Sequence, residues 1–330
     1  MFLSLLTSIS RIVAALVVIL GLLWLLLTRP AISFKDGSKS SPQQVDQRAL
    51  KKHTLMLSEQ LAPRDFTHPD NLNKVADYIA DSLNASGARV SEQPFEVDGV
   101  EYKNIIGEYG PEGGEVIVVG AHYDAKGEHP GADDNASGVA GLLEIGRLLG
   151  EEQPGTRVAL VAFTLEEPPF FRSGDMGSAV YANSLAETGT SVKLMIALEM
   201  IGYFSDQQGS QDYPMLLLNL YYPRVGNYIA VVDQMLSDQA RRMKASMAQV
   251  IDLPVYSINA PRFIPGVDFS DHLNFWNQGY PAVMVTDTAF YRNRAYHSQA
   301  DTAERLDYEK MAQVVYGVFD YLLKLSNEKE

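Results

Sequence analysis

The hydrophobic and polar positions along the chain follow two periods, one typical of helices and one typical of strands. Apolar residues at helical spacing predict helices over residues 49–61, 71–86, 136–149, 176–186, 225–243 and 308–325. Alternating or continuous apolar runs predict strands at 90–97, 100–109, 115–121, 157–164, 192–199, 214–220 and 282–286. This order indicates an α/β fold with a three-layer, mixed but mostly parallel central sheet and helices on both of its faces.

The N-terminal segment is of a different kind. After Arg11, residues 12–28 are uncharged and mostly Leu, Val, Ile and Ala, a run at the short limit for a membrane-spanning helix. We favour an uncleaved anchor because no small-x-small site follows Leu27, with a cleaved secretory signal as the alternative. We expect an anchor or signal segment at 1–30, a polar linker at 31–48, and a catalytic domain at 49–330 on the exported side, periplasmic or extracellular.

Composition narrows the chemistry. The net charge is −14, with 27 Lys and Arg against 41 Asp and Glu, which argues against a nucleic-acid partner. The chain has no cysteine, so disulfides, thiolate metal sites and cysteine nucleophiles are excluded. His, Asp and Glu remain as the strong metal ligands. Nothing in the pattern indicates an oligomeric state.

Acidic and imidazole side chains follow four of the expected strands. The first of these strands ends in His122-x-Asp124, and Asp134 follows in a Gly-flanked loop that opens a helix. Side chains two apart in an extended chain point to the same side, so Asp124 can orient His122. The other three strands are followed by Glu166 and Glu167, by Glu199, and by His297. Since ligands collect beyond the carboxyl ends of parallel strands, we expect these residues to meet at one edge of the sheet.

These residue types suit a hydrolytic metal site. Two metal ions need a carboxylate that bridges them, further ligands on each side, and room for an attacking water. Of two adjacent glutamates, one can bind metal while the other acts as general base. A set of His, Asp and Glu without thiolate favours zinc.

The ordered motifs resemble those of the co-catalytic dizinc aminopeptidases, whose relatives include glutamate carboxypeptidases and glutaminyl cyclases. The resemblance spans about residues 50–325 and rests on AHYDA (121–125), GADDNASG (131–138), Glu166-Glu167, LEMIGY (198–203), Ser270-Asp271-His272 and YHSQADT (296–302).

The resemblance implies a role for each matched position. Two zinc ions per chain are bound by five ligands, of which Asp134 bridges: His122, Asp134, Glu167, Glu199 and His297. Glu166 is the general base, Asp124 supports His122, and Tyr296 stabilises the oxyanion. A cis peptide is implied between Asp134 and Asn135. The implied activity is that of an exopeptidase, most simply an aminopeptidase, which cleaves N-terminal peptide bonds of a peptide substrate through a metal-bridging water.

Two other functions remain open at this point. One is a glutaminyl cyclase-like acyltransferase with a single zinc, and the other is a noncatalytic binding module on the same fold. Two side-chain pairs near the motifs are candidates for substrate contacts. Phe170 and Phe171 are expected to line the pocket, and Arg292 and Arg294 either hold a substrate carboxylate or are ordinary surface charge.

Overall fold

The computed structural model describes residues 2–28 and 45–328. Its helices are α1 (Phe2–Thr28), α2 (Gln47–Leu55), α3 (Pro69–Ala85), α4 (Gly138–Leu149), α5 (Gly177–Glu187), α6 (Gln239–Val250), α7 (His272–Asn277) and α8 (Tyr308–Asn327). Its strands are β1 (Arg89–Val97), β2 (Val100–Tyr109), β3 (Val116–His122), β4 (Arg157–Phe163), β5 (Val192–Glu199), β6 (Ile229–Gln234), β7 (Val255–Ala260) and β8 (Ala282–Thr286).

The eight strands form one sheet in the order β1-β2-β4-β3-β5-β8-β6-β7. Four of its seven pairings are parallel, namely β3 with β4, β3 with β5, β5 with β8, and β6 with β7. The other three are antiparallel. The mixed, mostly parallel sheet predicted from the sequence is therefore confirmed, and β4, β3, β5 and β8 lie side by side with their carboxyl ends at the same edge.

Helices cover both faces of the sheet. One core joins the sheet to α2, α3, α4, α6 and α8. The other, which includes Phe163, Tyr181, Phe275 and Trp276, joins it to α5 and α7. All seven residues of β3 are buried, as expected of a central strand with a helix layer on each side. This rigid centre holds the strand ends that carry the candidate site.

Two predictions between residues 214 and 260 are wrong, and one strand there was not predicted. The expected strand at 214–220 is instead a short 3₁₀ helix, Leu216–Leu220. The expected helix at 225–243 divides into strand β6 and helix α6, which begins only at Gln239. Strand β7, between Pro254 and Pro261, was not predicted. In each case an apolar run of fewer than eight residues fits a helix and a strand equally well. The elements that pack beside the run then determine which of the two forms.

The N-terminal helix is continuous over Phe2–Thr28, and Ser8–Thr28 is long and apolar enough to cross a membrane. Residues 31–44 of the expected linker lie outside the described residues. Residues 45–48 were also expected to be linker, but they belong to the packed domain. Val45 is buried, Asp46 caps α2, and the Asp46 N–H donates to Glu144 Oε1 at 2.8 Å.

Candidate metal centre

The carboxyl ends of four neighbouring strands deliver the candidate residues to one place. His122 is the last residue of β3 and Glu199 the last of β5. Glu166 and Glu167 follow β4, and His297 lies in the segment after β8. Asp134 precedes α4 and reaches the same edge. The structure thus brings together all five residues expected to bind metal, and Glu166 with them.

Within residues 2–28 and 45–328, the donor atoms form two groups of three that could each hold a cation, and Asp134 belongs to both. In the first group, His122 Nε2 lies 3.4 Å from Asp134 Oδ1 and 3.4 Å from Glu199 Oε2. In the second, His297 Nε2 lies 3.1 Å from Asp134 Oδ2 and 3.1 Å from Glu167 Oε2. Each carboxylate oxygen of Asp134 therefore faces a different histidine, which is the arrangement of a bridging ligand.

The donors fit zinc by two criteria. In a tetrahedral zinc site with bonds of about 2.0–2.1 Å, neighbouring donors lie about 3.3 Å apart, close to the separations in both groups. In the described part of the chain, His122 Nε2, His297 Nε2 and Glu167 Oε1 are buried and have no hydrogen-bond partner. Buried polar atoms are normally paired. All three atoms belong to residues of the two donor groups, so a cation there would supply an interaction that these side chains lack.

The electrostatics of the cluster also favour a cation. Asp134, Glu166, Glu167 and Glu199 are all buried. Burial and the negative charge of Asp134 raise the pKa of Glu167. Burial also raises the pKa of Glu166 well above its usual range, against the opposing effect of the His122 imidazole. Carboxylates packed this closely repel one another, and positive charge between them relieves the repulsion.

Asp124 holds the ends of two strands together. Its Oδ1 accepts the N–H of Glu166 at 3.1 Å and its Oδ2 the N–H of Glu167 at 3.0 Å. His122 Nδ1 lies 3.5 Å from Asp124 Oδ1 and 3.2 Å from the Asp124 backbone carbonyl oxygen. The side chain expected to orient His122 therefore also fixes the backbone that carries Glu166 and Glu167.

The loop that carries Asp134 is held from inside by Arg64, a residue that no sequence motif indicated. The Arg64 side chain is fully buried and donates to the carbonyl oxygens of Tyr123 at 3.0 Å, Leu57 at 3.2 Å, and Pro130 and Gly131 at 2.5 Å each. Gly131 has a φ of +55°, and a Cβ there would lie 2.2 Å from the Asp134 carbonyl oxygen, so only glycine fits.

The peptide bond between Asp134 and Asn135 is cis, which confirms the expectation. The turn is fixed on both sides by side chains. Asn135 Nδ2 donates to the Leu198 carbonyl oxygen at 2.8 Å, and Asn135 Oδ1 accepts the Met200 N–H at 3.0 Å. These contacts tie the Asp134 turn to the end of β5, where Glu199 lies.

Two further residues support the donors, and both lie inside motifs without having been singled out. Asp301 Oδ2 accepts the N–H groups of Asp133 and Asp134 at 3.1 Å each. Ser270 Oγ donates to Glu199 Oε2 at 2.7 Å. Their positions in YHSQADT and in Ser270-Asp271-His272 were the available signal. His272 is not a donor to the cluster, because it is buried and its Nε2 donates to the Val267 carbonyl oxygen at 2.9 Å.

A cavity with an empty volume of ≈ 850 Å³ adjoins the cluster. Glu199 and Tyr296 lie at the cluster side of its wall. The rest of the wall is largely aromatic and includes Tyr213, Tyr222, Tyr228, Tyr256, Phe269, Phe290 and Tyr291. The Tyr296 ring stacks on His297 with a centroid separation of 3.7 Å. Such a wall suits an apolar group of a bound molecule next to the donors.

The four candidate substrate contacts outside the motifs are not among the residues that line this cavity. Phe170 and Phe171 do not line the cavity described here. Phe170 packs on Phe66, and Phe171 packs on Phe269. Arg292 is neither exposed nor available to a substrate carboxylate, since it is buried and donates to Gln211 Oε1 and to the Tyr228 carbonyl oxygen. Arg294 is exposed and pairs with Asp212.

Comparison with known proteins agrees with this geometry. A relative from Escherichia coli (strain K12), YfbL, is 51% identical over 292 residues, which cover 86% of this chain and 90% of the relative. A probable leucine aminopeptidase from Trichophyton verrucosum (strain HKI 0517) is 28% identical over 263 residues, or 76% of this chain and 64% of the relative.

Solved structures share the fold. BSAP, a zinc aminopeptidase from Bacillus subtilis, matches with a TM-score of 0.69 at 15% identity, covering 85% of this chain and 95% of that one. The glutaminyl cyclase from Porphyromonas gingivalis matches with a TM-score of 0.63 at 20% identity, covering 84% and 98%. The model of peptidase family M28 matches residues 104–322, a span that includes every donor in the cluster. The chain therefore belongs to peptidase family M28.

Proposed function

We propose that this chain is a zinc-dependent aminopeptidase with two zinc ions, one held by His122, Asp134 and Glu199 and the other by Asp134, Glu167 and His297. The observation that carries the proposal is the pair of donor groups that share Asp134. The M28 family and the zinc aminopeptidase fold support a metallo-exopeptidase. Bound zinc would polarise the scissile carbonyl and make a water molecule more acidic.

The side chains around the donors have separate tasks. Glu166 takes the proton of the attacking water and passes it to the leaving amine, because its Oε2 is within reach of the cluster, 3.9 Å from His122 Nε2. Tyr296 lines the cavity and stacks on His297, and its proposed task is to donate its hydroxyl to the oxyanion. Asp124 positions His122, Glu166 and Glu167.

The test separates chemistry from metal binding. Glu166→Gln is expected to keep two zinc ions per chain, measured by elemental analysis of the purified full chain, and to lose nearly all hydrolysis of an aminoacyl anilide. Asp134→Ala is expected to lose zinc from both groups. Full activity in Glu166→Gln would show that Glu166 is not the general base. Two zinc ions in Asp134→Ala would show that Asp134 does not bridge them.

A single-zinc glutaminyl cyclase is the second candidate, because the P. gingivalis enzyme shares the fold. Two readouts distinguish the candidates. An aminopeptidase binds two zinc ions and hydrolyses a leucyl anilide but not its N-acetylated form, because it requires the free amine. A cyclase binds one zinc ion and converts an N-terminal glutaminyl substrate to the pyroglutamyl product with release of ammonia. A chain that binds no zinc and turns over neither substrate would be a binding module.

We also propose that α1 anchors the enzyme and that the domain from residue 45 onward lies on the exported side. The length and apolar composition of Ser8–Thr28 support the anchor, and a single N-terminal span followed by one large domain most simply leaves that domain on the exported side. Treatment of sealed, right-side-out membrane vesicles with protease tests the orientation. Cleavage of the domain without detergent is expected, and full protection would reverse the assignment.

A further inference from the structure

We infer that the catalytic domain itself enters the lipid bilayer, through the apolar segment Tyr213–Pro223 next to helix α1. Eleven consecutive residues in this segment are uncharged, and Asp212 and Arg224 flank it. Its two most exposed side chains are Leu216, 89% exposed, and Leu220, 68% exposed. Large apolar side chains exposed together in this way mark a surface that meets an apolar partner.

The segment is held firmly to the domain, so its exposed side chains have a defined direction. Leu218 is buried and lines the cavity. The Tyr222 hydroxyl donates to the Ser257 carbonyl oxygen on β7 at 2.7 Å. Since Leu218 and Tyr222 point into the domain, Leu216 and Leu220 are left on the opposite side of the same short 3₁₀ turn.

Helix α1 lies directly beside this segment. The Tyr221 hydroxyl donates to the Leu20 carbonyl oxygen at 3.0 Å. At the end of the helix, the Thr28 carbonyl oxygen accepts from Ser257 Oγ at 3.0 Å and from Lys244 Nζ at 2.9 Å. Within residues 8–28 of α1, only the side that carries Leu20, Leu23 and Leu27 is partly covered, and the other apolar side chains in this range are exposed.

The position of Arg11 sets the depth of these contacts. The uncharged run begins after Arg11, so residues 12–28 must supply the membrane span. At 1.5 Å per residue these seventeen residues reach about 26 Å, slightly less than a hydrocarbon core of about 30 Å, so none of them can be left outside the core. Thr28 must therefore lie at one surface of the bilayer, and Leu20, eight residues or about 12 Å before it, near the middle.

The domain must then extend below the membrane surface. A hydroxyl that reaches the Leu20 carbonyl cannot belong to a segment that stays outside the bilayer while α1 spans it. The composition of the segment agrees, because its exposed side chains Leu216 and Leu220 suit the hydrocarbon. The hydroxyls of Tyr221 and Tyr222 are both hydrogen-bonded, as polar groups at this depth must be. Lys244, at the Thr28 end of the helix, lies where a cation meets lipid headgroups.

A labelling experiment on the full chain in lipid vesicles tests this inference. The chain has no cysteine, so each single-cysteine variant carries one environment-sensitive fluorophore. Leu216→Cys and Leu220→Cys report on the segment. Leu16→Cys reports on the anchor. Glu112→Cys is the matched control, because its side chain is 85% exposed and it lies beyond β2, near the sheet edge formed by β1 and far from β7 in the strand order.

Quenching distinguishes the outcomes. We expect lipids with a spin label on the acyl chain to quench the labels at 216 and 220 as strongly as the label at 16, and aqueous iodide to quench only the label at 112. If the label at 16 is quenched by the lipids but those at 216 and 220 are quenched by iodide, the segment lies outside the bilayer and the inference is wrong.

Two other results would also overturn the inference, each for a different reason. Labels at 216 and 220 that neither quencher reaches would be covered by protein, which would assign the surface to a second copy of the chain. If iodide quenches the label at 16, α1 lies in water and is not the membrane anchor on which the inference rests. Zinc content and aminopeptidase activity do not enter this test, so its failure is separate from failure of the proposed reaction.

Discussion

Replacement of Asp124 by asparagine should weaken metal binding in both donor groups. The substitution keeps the size of the side chain but turns one of its two acceptor oxygens into a donor. Asp124 accepts the N–H groups of Glu166 and Glu167 at 3.1 and 3.0 Å, so in Asp124→Asn one of these N–H groups faces another donor. A hydrogen bond to a charged group is worth about 1.5–3 kcal/mol.

The hydrogen bonds also exist without metal, so zinc affinity falls only by the part that the metal-bound state loses in excess, because Glu167 and His122 are then held less firmly where the metal requires them. A loss of the full 1.5–3 kcal/mol would weaken zinc affinity by about 10- to 150-fold, and removal of a group that supports a ligand usually costs about 10- to 100-fold. Because His122 belongs to one donor group and Glu167 to the other, both zinc dissociation constants should rise.

Competition with a chromophoric zinc chelator at fixed pH measures both constants. Asp98→Asn is the matched control, since Asp98 is exposed in the turn between β1 and β2 and lies outside the cluster. Zinc affinities within about twofold of the parent chain in Asp124→Asn would refute the reasoning, because they would be too close for the loss of such a hydrogen bond. A rise in only one constant would show that Asp124 supports only one donor group.

Three further predictions concern single side chains. Arg64→Met leaves four buried carbonyl oxygens without their donor, so the free energy of unfolding, measured with urea, should fall by about 4 kcal/mol or more. Arg64→Lys keeps the positive charge but lacks the planar guanidinium with its several N–H donors, so it should recover only part of that free energy. Burial lowers the pKa of His272 to about 4, below its unfolded value of 6.5. The metal-free chain should therefore lose about 2 kcal/mol of stability from this residue between pH 7.5 and pH 5, as the unfolded state gains a proton first, and His272→Gln should lose that much less. Tyr296→Phe should lower kcat about 100-fold with little change in KM if the hydroxyl stabilises the oxyanion, and an unchanged kcat would exclude that role.

The meeting of His122, Glu166, Glu167 and Glu199 could be predicted because each lies at, or just after, the end of a strand whose pattern is unambiguous. The strands before His122, Glu166 and Glu199 are continuous apolar runs buried on both faces, and their bounds agree with the structure to within one or two residues. Parallel strands of this kind place their carboxyl ends at one edge, so the meeting of the donors followed from the pattern. The roles of the donors in binding and catalysis remain predictions.

The region from residue 214 to 260 was mispredicted because short apolar runs depend on their neighbours. The run over Ile229–Gln234 became a strand only because β8 and β7 pair with it on either side. Arg64 could not have been found from the sequence, since it binds backbone carbonyl oxygens, which every residue carries. Arg292 was misjudged for a similar reason, because its partners are Gln211 and the backbone of Tyr228, far away in the chain.

The contacts of Arg64 limit how short a fragment of this chain can be and still hold the Asp134 loop in place. The match to the family model starts at residue 104, inside β2. A fragment cut there would lack Arg64, the donor to the carbonyl groups of the Asp134 loop, and it would lack β1, which covers the edge of β2. The motifs therefore mark the chemistry but not the smallest unit that folds, which extends back to the buried Val45. Any excised version of the enzyme must begin at least that early.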